Sequence, residues 1–525
     1  MISIDQFRAD YLDRFAPWFS PGGFARLRSG GLEFAACHYE HAYTKTAPGH
    51  ALILSGVHAN IHGIVDNVWI DRRTWRRVLA VEDPDSPIVG PAQNRPSPVP
   101  LFFEPGRSPR NFQAETVGDI LKQRHGGDSR VLSIANKDRS AILMGGKSAD
   151  AAYWMEAGAF VSSRYYHDAL PAWVAAFNAQ GRVERTFGCR WELLLEPSVY
   201  EAVAGPDDAL GEDGGFGMGT TFPKTIDGGD KEIGRAFYEA FEQSPMASEI
   251  LVEFVIAAVV AENLGRRAAT DLLCIGFSQI DFLGHAFGPD SVEMMDAVLR
   301  LDRLLARLLS FLDGHMGKGN YLVVLTADHG VAPLPERMAT RSPAISHGRL
   351  DWPAIEAGLD AALSGDSASA DQRWFVRDGM GFHLVPETLA QVQVSRADGE
   401  TRLRQALQAR PEFRAAFTRT ELQSERPLGP LGEAVRLSYH EERSPDVVYV
   451  LNRYFVDRRG SGSNHGTPYD YDTHVPLLWY GRGVPQGVRG HRRVGMQDIA
   501  PTLAALLQVP RPPQSTGSSL FDAER

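Results

Sequence analysis

The sequence predicts an α/β fold with a doubly wound, mostly parallel central sheet, flanked by helices and carrying two inserted cap regions. Near-continuous apolar runs at 271–277, 321–326 and 475–480 are typical of strands that are buried on both faces. Helical patterns at 247–263, 291–312 and 496–507 lie between and after these runs. Such alternation of strands and helices indicates helices packed on both faces of one sheet.

Composition shifts divide the chain into five segments. The core is predicted at 1–71, 246–332 and 461–525, because the apolar strands and helical patterns fall there. Residues 72–245 and 333–460 are irregular and are predicted to be insertions that build walls over a shared site. The chain opens on an apolar strand at 1–4, so we expect that upstream residues, including a signal peptide, precede it in the native protein.

Charge and hydropathy exclude some classes of protein. The 525 residues carry a formal charge of −11, which argues against a general nucleic-acid binder. No apolar run reaches the roughly 18 residues of a membrane-spanning helix. The three cysteines have no zinc-finger spacing. The acidic, glycine-containing tract at 227–230 leaves open whether calcium binds there or the loop is simply solvated.

Aspartate and histidine recur at the ends of predicted strands. Ligands gather beyond the carboxyl ends of strands in open α/β sheets, so we expect these side chains to converge. Asp281 and His285 are four residues apart and would share one face of a helical turn. Taken singly, each such residue is more often a cap or a local hydrogen-bond partner. Together they form a donor set suited to zinc, with other divalent metals possible: Asp5, Asp281, His285, Asp328, His329 and His465.

Five short motifs resemble those of the alkaline phosphatase superfamily. They lie at 4–6, 46–50, 281–285, 327–330 and 464–466, in the same order along nearly the whole chain. The resemblance implies two zinc ions, one held by Asp281, His285 and His465. It implies that the second is held by the set Asp5, Asp328, His329 and the hydroxyl of Thr46.

Taken alone, Thr46 is one hydroxyl in a predicted loop. The same resemblance makes it the nucleophile, because metal coordination lowers the pKa of its hydroxyl. Thr44 is the competing hydroxyl, and His50 is expected to be structural rather than a ligand. The chain lacks the Cys/Ser-x-Pro-x-Arg motif of sulfatases, and a threonine departs from the serine of cofactor-independent phosphoglycerate mutases. Two branches of the superfamily remain as candidates: phosphate monoesterases and nucleotide pyrophosphatase/phosphodiesterases.

Lys137 and Arg139 favour the monoesterase. Their segment resembles the Lys-x-Arg segment of the phosphate-irrepressible type of bacterial alkaline phosphatase, in which both side chains contact phosphate. Two residues apart on an extended segment, they are expected to face the site together. Asn67 matches an asparagine that monoesterases and diesterases both use to hold a phosphate oxygen. Because a monoester carries about one more negative charge than a diester, the two added cations favour the monoester.

The sequence therefore predicts an alkaline phosphatase that hydrolyses small phosphate monoesters through a phosphothreonine intermediate and binds inorganic phosphate. The alternatives are a phosphodiesterase of nucleotide pyrophosphatase type and a metal-binding protein that has lost catalysis. The resemblance and the expected leader favour a periplasmic or secreted location.

Overall fold

The structure is a computed structural model that describes residues 1–91, 103, 105–364 and 373–521. Residues 92–102 and 104 of the first predicted insertion lie outside the described residues, and so do residues 365–372 of the second.

The strands are β1 (Ile2–Ile4), β2 (Gly31–His38), β3 (Val68–Ile70), β4 (Arg77–Leu79), β5 (Glu82–Val89), β6 (Gly106–Arg107), β7 (Val131–Ala135), β8 (Ala151–Glu156), β9 (Ala159–Ser163), β10 (Cys189–Trp191), β11 (Lys224–Ile226), β12 (Leu272–Phe277), β13 (Leu322–Thr326), β14 (Gly348–Arg349), β15 (Phe375–Asp378), β16 (Gly381–Leu384), β17 (Phe413–Thr418), β18 (Val447–Leu451), β19 (Phe455–Val456), β20 (His474–Val475), β21 (Leu478–Gly481) and β22 (Val488–Gly495).

The α-helices are α1 (Tyr11–Arg14), α2 (Phe24–Ser29), α3 (Thr46–Ser55), α4 (Ala59–His62), α5 (Val117–His125), α6 (Asp138–Gly145), α7 (Ala172–Asn178), α8 (Pro197–Ala204), α9 (Gly215–Met218), α10 (Arg235–Gln243), α11 (Pro245–Ala261), α12 (Gln279–Phe287), α13 (Val292–Met316), α14 (Pro335–Arg341), α15 (Trp352–Ser364), α16 (Pro386–Gln391), α17 (Arg396–Gln408), α18 (Arg419–Leu422), α19 (Gly429–Ser438), α20 (Asp470–Thr473) and α21 (Ile499–Leu507).

One large mixed sheet forms the centre of the molecule. Its strands follow the order β20-β2-β21-β13-β1-β12-β7-β8-β9-β5-β6, with β22 beside β2. The five neighbouring strands from β13 to β8 are parallel to one another, and antiparallel strands flank them on both sides. Strand β1 lies between β12 and β13, and all three of its residues are buried. The carboxyl ends of the parallel strands therefore meet at one edge of the sheet, which confirms the predicted α/β architecture.

The strongest predicted elements are present. Strands β12 and β13 and helices α11, α13 and α21 occupy the predicted segments to within a few residues. The apolar run at 475–480 differs, because it is divided between β20 and β21, which pair antiparallel with β2 and β13. Pro476 lies at the division, where a residue without an N–H cannot extend the ladder.

The first predicted insertion differs from the structure. Residues 72–245 include β7, β8 and β9, which belong to the central sheet. Val131–Ala135 pairs in parallel register with residues 272–276 of β12, so this segment is core rather than cap. The pairing joins residues about 140 positions apart, and no local sequence pattern encodes such a partner.

Most strands of the second predicted insertion form a sheet of their own. Strands β15, β16, β18 and β17 are neighbours in that order, over a separate apolar cluster that includes Leu359, Phe382, Leu403 and Tyr449. A side-chain carbon added at Gly379 would collide with the carboxylate of Asp66, so this block packs directly against the segment that carries Asn67. That it walls the site stays a prediction.

No single helix in the described part of the chain is long and apolar enough to cross a membrane. Helices α10 and α11 meet that test together, by length and composition only, with a bend of 81° between them.

Candidate active site

Three adjacent parallel strands carry the predicted ligands to one edge of the sheet. Asp5 directly follows β1, and Asp328 and His329 follow β13. Strand β12 leads into α12, which carries Asp281 in its first turn and His285 in its last. The predicted helical turn through Asp281 and His285 is thus present, and the strand ends converge because the strands are neighbours.

The ligand atoms form two overlapping groups. Asp5, Asp328 and His329 each offer an atom within 4.8 Å of the others, and so do Asp281, His329 and His465. All five residues are buried. His329 belongs to both groups, and its ring stacks on that of His465 with centroids 3.6 Å apart. The sequence prediction assigned His329 to one group only, so the structure couples the two groups more closely than predicted.

His285 lies beside the second group. Its Nε2 atom is 3.3 Å from Oδ1 of Asp281, and Nε2 of His465 is 3.7 Å from the same oxygen. All six aspartate and histidine residues of the predicted ligand sets therefore lie close together. The sequence pattern placed His465 at the end of a strand. In the structure it lies in a loop.

Backbone carbonyls orient the three histidines. The Nδ1 atoms of His285, His329 and His465 lie 2.9, 2.9 and 2.7 Å from the carbonyl oxygens of Ser463, Gly330 and Thr44. A carbonyl only accepts, so each Nδ1 carries a proton, and Nε2 is the ring atom left to bind a metal. Metal-binding histidines are commonly held in this way.

The electrostatics of the buried cluster favour the binding of cations. Burial, followed by repulsion from Asp281 and Asp328, raises the pKa of Asp5 well above its usual range. Burial lowers the pKa of His329 to about 4 and that of His465 well below its usual value, so both rings are neutral. The ammonium group of Lys137 contacts two of the three carboxylates, those of Asp5 and Asp281.

One carboxylate oxygen of the cluster, Oδ1 of Asp5, also lacks a hydrogen-bond donor within the described residues, and Oδ2 of Asp328 has Nδ1 of His50 at 3.2 Å. Buried carboxylate oxygens beside unprotonated imidazole nitrogens are the donor set that a divalent metal requires. The residues present therefore fit a metal centre.

Thr46 lies at the N-terminus of a buried helix and not within a loop. It is the first residue of α3, and its Oγ1 atom is 3.4 Å from Nε2 of His329. Pro48 is compatible with this helix, because the first turn of a helix needs no amide donor at that position. The positive end of the helix dipole consequently faces the ligand groups.

Two neighbours of Thr46 have structural contacts. His50 Nδ1 lies 2.8 Å from the carbonyl oxygen of Thr46 one helical turn earlier, and His50 is in neither ligand group. The competing hydroxyl of Thr44 donates to the carbonyl of Thr467, 3.1 Å away, and also accepts from its amide.

Asn67 is oriented toward the same edge. Its Oδ1 atom accepts a hydrogen bond of 2.8 Å from the amide of Ala47, the second residue of α3. The amide carbonyl is therefore engaged with the helix, and the NH₂ group is left to donate to a ligand.

Lys137 and Arg139 lie at the start of α6, immediately after β7. Lys137 is the N-cap and has an extended backbone, but Arg139 is in the first helical turn, so the predicted extended segment does not continue to Arg139. They reach the site because β7 ends beside β12. Lys137 Nζ contacts Oδ2 of Asp281 and lies 2.7 Å from Oδ2 of Asp5, bridging the carboxylates of both groups. Burial opposes its charge, but Asp281 and Asp5 outweigh burial and raise its pKa.

The guanidinium group of Arg139 is only partly engaged by the protein. Its Nε is buried without a hydrogen-bond partner in the described residues, and Nη1 is 3.6 Å from Oδ1 of the adjacent Asp138. Asp138 is fixed by the buried Arg107, whose Nε donates to Oδ2 over 2.8 Å. The sequence analysis missed Arg107, because its only signal is an arginine in an irregular tract 31 residues before its partner.

Lys45 was also missed. It is the N-cap of α3, and its Nζ donates to the carbonyl oxygen of His465 over 3.1 Å. It thereby ties the residue before Thr46 to the loop that carries His465.

A mixed α/β sheet whose parallel strands end on two overlapping groups of aspartate and histidine, with a threonine hydroxyl beside them, defines a member of the alkaline phosphatase superfamily. Within it, the chain belongs to the type I phosphodiesterase / nucleotide pyrophosphatase family, whose model matches residues 1–467.

Relatives and solved structures agree with this assignment. The alkaline phosphatase PhoV of Synechococcus elongatus is 33% identical to this chain, with 99% of this chain and 91% of PhoV covered. The alkaline phosphatase PafA of Elizabethkingia meningoseptica is 30% identical, with coverages of 99% and 93%. The crystal structure of PafA has a TM-score of 0.87 and covers 99% of this chain and 97% of PafA. Murine ectonucleotide pyrophosphatase/phosphodiesterase 5, 16% identical with a TM-score of 0.53 and coverages of 99% and 97%, shares the fold.

A crystallised variant of PafA carries substitutions at one threonine, one asparagine, one lysine and one arginine. The threonine and asparagine have the same sequence spacing as Thr46 and Asn67, and the lysine and arginine the same spacing as Lys137 and Arg139.

Proposed function

We propose that this protein is an alkaline phosphatase that hydrolyses phosphate monoesters through a phosphothreonine intermediate on Thr46, at a site for two zinc ions. The observation that carries the proposal is the position of the Thr46 hydroxyl. It lies at the N-terminus of α3 and 3.4 Å from Nε2 of His329, the residue common to both ligand groups. A hydroxyl so placed meets the positive end of a helix and a metal-ligating cluster at once.

The metal ligands are divided here as the family resemblance implies, with His329, which is close to both groups, assigned to the second ion. Asp281, His285 and His465 would hold one ion, and Asp5, Asp328, His329 and Thr46 the other. When bound, the ions supply Lewis acidity toward the threonine hydroxyl and toward the oxygen of the departing alcohol. A set of carboxylate and imidazole donors suits zinc.

The chain's own groups bind and orient the phosphate. The NH₂ group of Asn67, fixed through its carbonyl by Ala47, donates to one non-bridging oxygen. Arg139 offers a planar fork whose Nε is without a partner in the described residues. Lys137 adds a point charge between the two groups. A water molecule then attacks the phosphothreonine and releases inorganic phosphate.

Charge favours the monoester as substrate. Three ligand carboxylates and one alkoxide balance two divalent ions, so the loaded site is near neutral. Lys137 and Arg139 make it cationic, and a monoester dianion gains more from that charge than a diester monoanion.

Replacement of Thr46 tests the nucleophile. Thr46→Ala is expected to reduce kcat by on the order of 10³-fold or more, because loss of a nucleophile removes the covalent step. Thr46→Ser keeps a hydroxyl and should retain measurable turnover. Mass spectrometry of acid-quenched wild type should place a phosphate on the peptide containing Thr46. Thr44→Ala is the matched control, and phosphate trapped on Thr44 instead would overturn the assignment.

A second candidate is a phosphodiesterase of nucleotide pyrophosphatase type, favoured by the description of the matching family model. A diesterase would need the same metal ligands, and also Thr46 and Asn67. Lys137 and Arg139 would contribute less to its catalysis. Higher kcat/KM on diesters than on monoesters would select it.

The proposed partners are small phosphate monoesters and inorganic phosphate. The proposed location, periplasmic or secreted, rests on the family resemblance.

A further inference from the structure

Gln6, the residue after Asp5, has an unusual backbone conformation. Its φ is +64°, in the left-handed region that glycine favours, and its side chain is buried. Non-glycine residues adopt this region at an energetic cost, and they persist there where surrounding contacts hold them. The contacts of Gln6 therefore identify what the strained conformation achieves.

Gln6 touches one carboxylate of each ligand group. Its backbone N–H donates to Oδ1 of Asp328 over 3.0 Å. Its side-chain Nε2 donates to Oδ1 of Asp281 over 2.6 Å. Because Gln6 also follows Asp5 directly, one residue links the three carboxylates that come from three different strand ends.

An independent feature of α12 accommodates this arrangement. Gly284 lies between Asp281 and His285, and a side-chain carbon added there would collide with Oε1 of Gln6. The glycine within the 281–285 motif is thus explained by the space that the Gln6 amide occupies.

We propose that Gln6 is a positioning residue that sets the two metal groups relative to each other. Its side-chain amide orients Asp281 in one group, while its strained backbone aims an N–H at Asp328 in the other. This inference rests on the proposed two-metal site and assigns a role to a residue that touches neither substrate nor Thr46. Groups that hydrogen-bond to metal ligands commonly tune metal affinity.

Gln6→Gly separates the two contacts. Glycine retains the N–H toward Asp328 and accepts the left-handed backbone without strain, but it removes the amide from Asp281. In competition with a zinc chelator, one of the two zinc equivalents is expected to bind about 10–100-fold more weakly, and the other to stay within about threefold of wild type. Gln6→Ala, which keeps the strain, should give the same selective loss.

Gln508→Gly is the matched control. Gln508 caps α21 with φ +55° and is exposed, so glycine relieves the same kind of strain away from the site. This variant should release both zinc equivalents as wild type does. If Gln6→Gly weakens both equivalents equally, or neither, the positioning role is wrong.

A metal-independent experiment tests the contact with α12. In metal-free protein, Gly284→Ala should lower the midpoint of thermal unfolding in the wild-type background, because the new methyl group meets the Gln6 amide. In the Gln6→Gly background the same change should be neutral or stabilising, since alanine favours a helix over glycine. Equal destabilisation in both backgrounds would overturn the inference. A wild type that binds fewer than two zinc equivalents would refute the proposed function instead.

Discussion

Arg139→Ala should weaken catalysis on monoesters far more than on diesters. The Arg139 side chain is 25% exposed, its Nε has no partner in the described residues, and Nη1 is 3.6 Å from Asp138, too far for a hydrogen bond. Up to two of its N–H groups are thus available to phosphate. A charge-assisted hydrogen bond contributes about 1.5–3 kcal/mol, and partial exposure favours the lower figure.

Two such bonds to a dianion give about 3 kcal/mol, or on the order of a 100-fold loss in kcat/KM. A diester presents one negative charge fewer, so its loss should be on the order of tenfold. The assay compares kcat/KM for p-nitrophenyl phosphate and its bis ester at saturating zinc. Arg139→Lys retains the charge without the fork and should fall between wild type and alanine.

Arg124→Ala is the control, because Arg124 is exposed on α5. The thermal unfolding midpoint of each variant should stay near that of wild type, since the ion pair of Arg139 with Asp138 is long, at 3.6 Å, and partly exposed. If Arg139→Ala lowers kcat/KM equally for both esters, this arginine does not discriminate between substrates by their charge, and the reasoning is refuted.

Three further predictions concern the metals, the core and pH. A zinc chelator should remove activity and lower the unfolding midpoint, because the buried carboxylates lose their counter-ions, and added zinc should restore both; recovery with magnesium alone would contradict the donor chemistry. Gly49→Ala should destabilise the protein by about 1–3 kcal/mol in thermal unfolding, since the added methyl group meets the backbone of Asp328; an unchanged midpoint would contradict that packing. Burial, followed by Glu293, raises the pKa of Glu212 from 4.5 to about 8. The folded state then holds a proton that the unfolded state releases, so stability should fall from about pH 5 to 8 and Glu212→Gln should flatten the fall. Glu201→Gln, at an exposed position, should leave the slope unchanged.

Local pattern was sufficient for several elements of the core. Strands β12 and β13 were predicted from short, nearly continuous apolar runs, and helices α11 and α13 from longer helical patterns. Strand β7 has the same apolar character, yet it was assigned to an insertion. Its place in the sheet depends on pairing with β12, a non-local contact that competes with the proline- and glycine-rich sequence around it.

The residues of the site were easier to predict than their local geometry. The candidate ligands and Thr46 were selected by motif, but Thr46 was expected in a loop and lies at the start of α3. Lys137 and Arg139 were expected on an extended segment and lie at the start of α6. In both places a helix begins directly at the functional residue, and chemistry rather than amphipathic periodicity selects the residues there. The motif at 4–6 contains Gln6, but no role could be assigned to this residue from the sequence. Its hydrogen bonds depend on its left-handed backbone conformation, which the sequence does not show.

The most direct test of the proposed monoesterase is the ratio of kcat/KM for p-nitrophenyl phosphate to that for bis(p-nitrophenyl) phosphate, with zinc content determined on the same sample. Lys137 and Arg139 beside a two-zinc site predict a ratio on the order of 100 or more, with two zinc ions per chain. A ratio below one in protein that holds two zinc ions would contradict the monoesterase assignment and establish the phosphodiesterase.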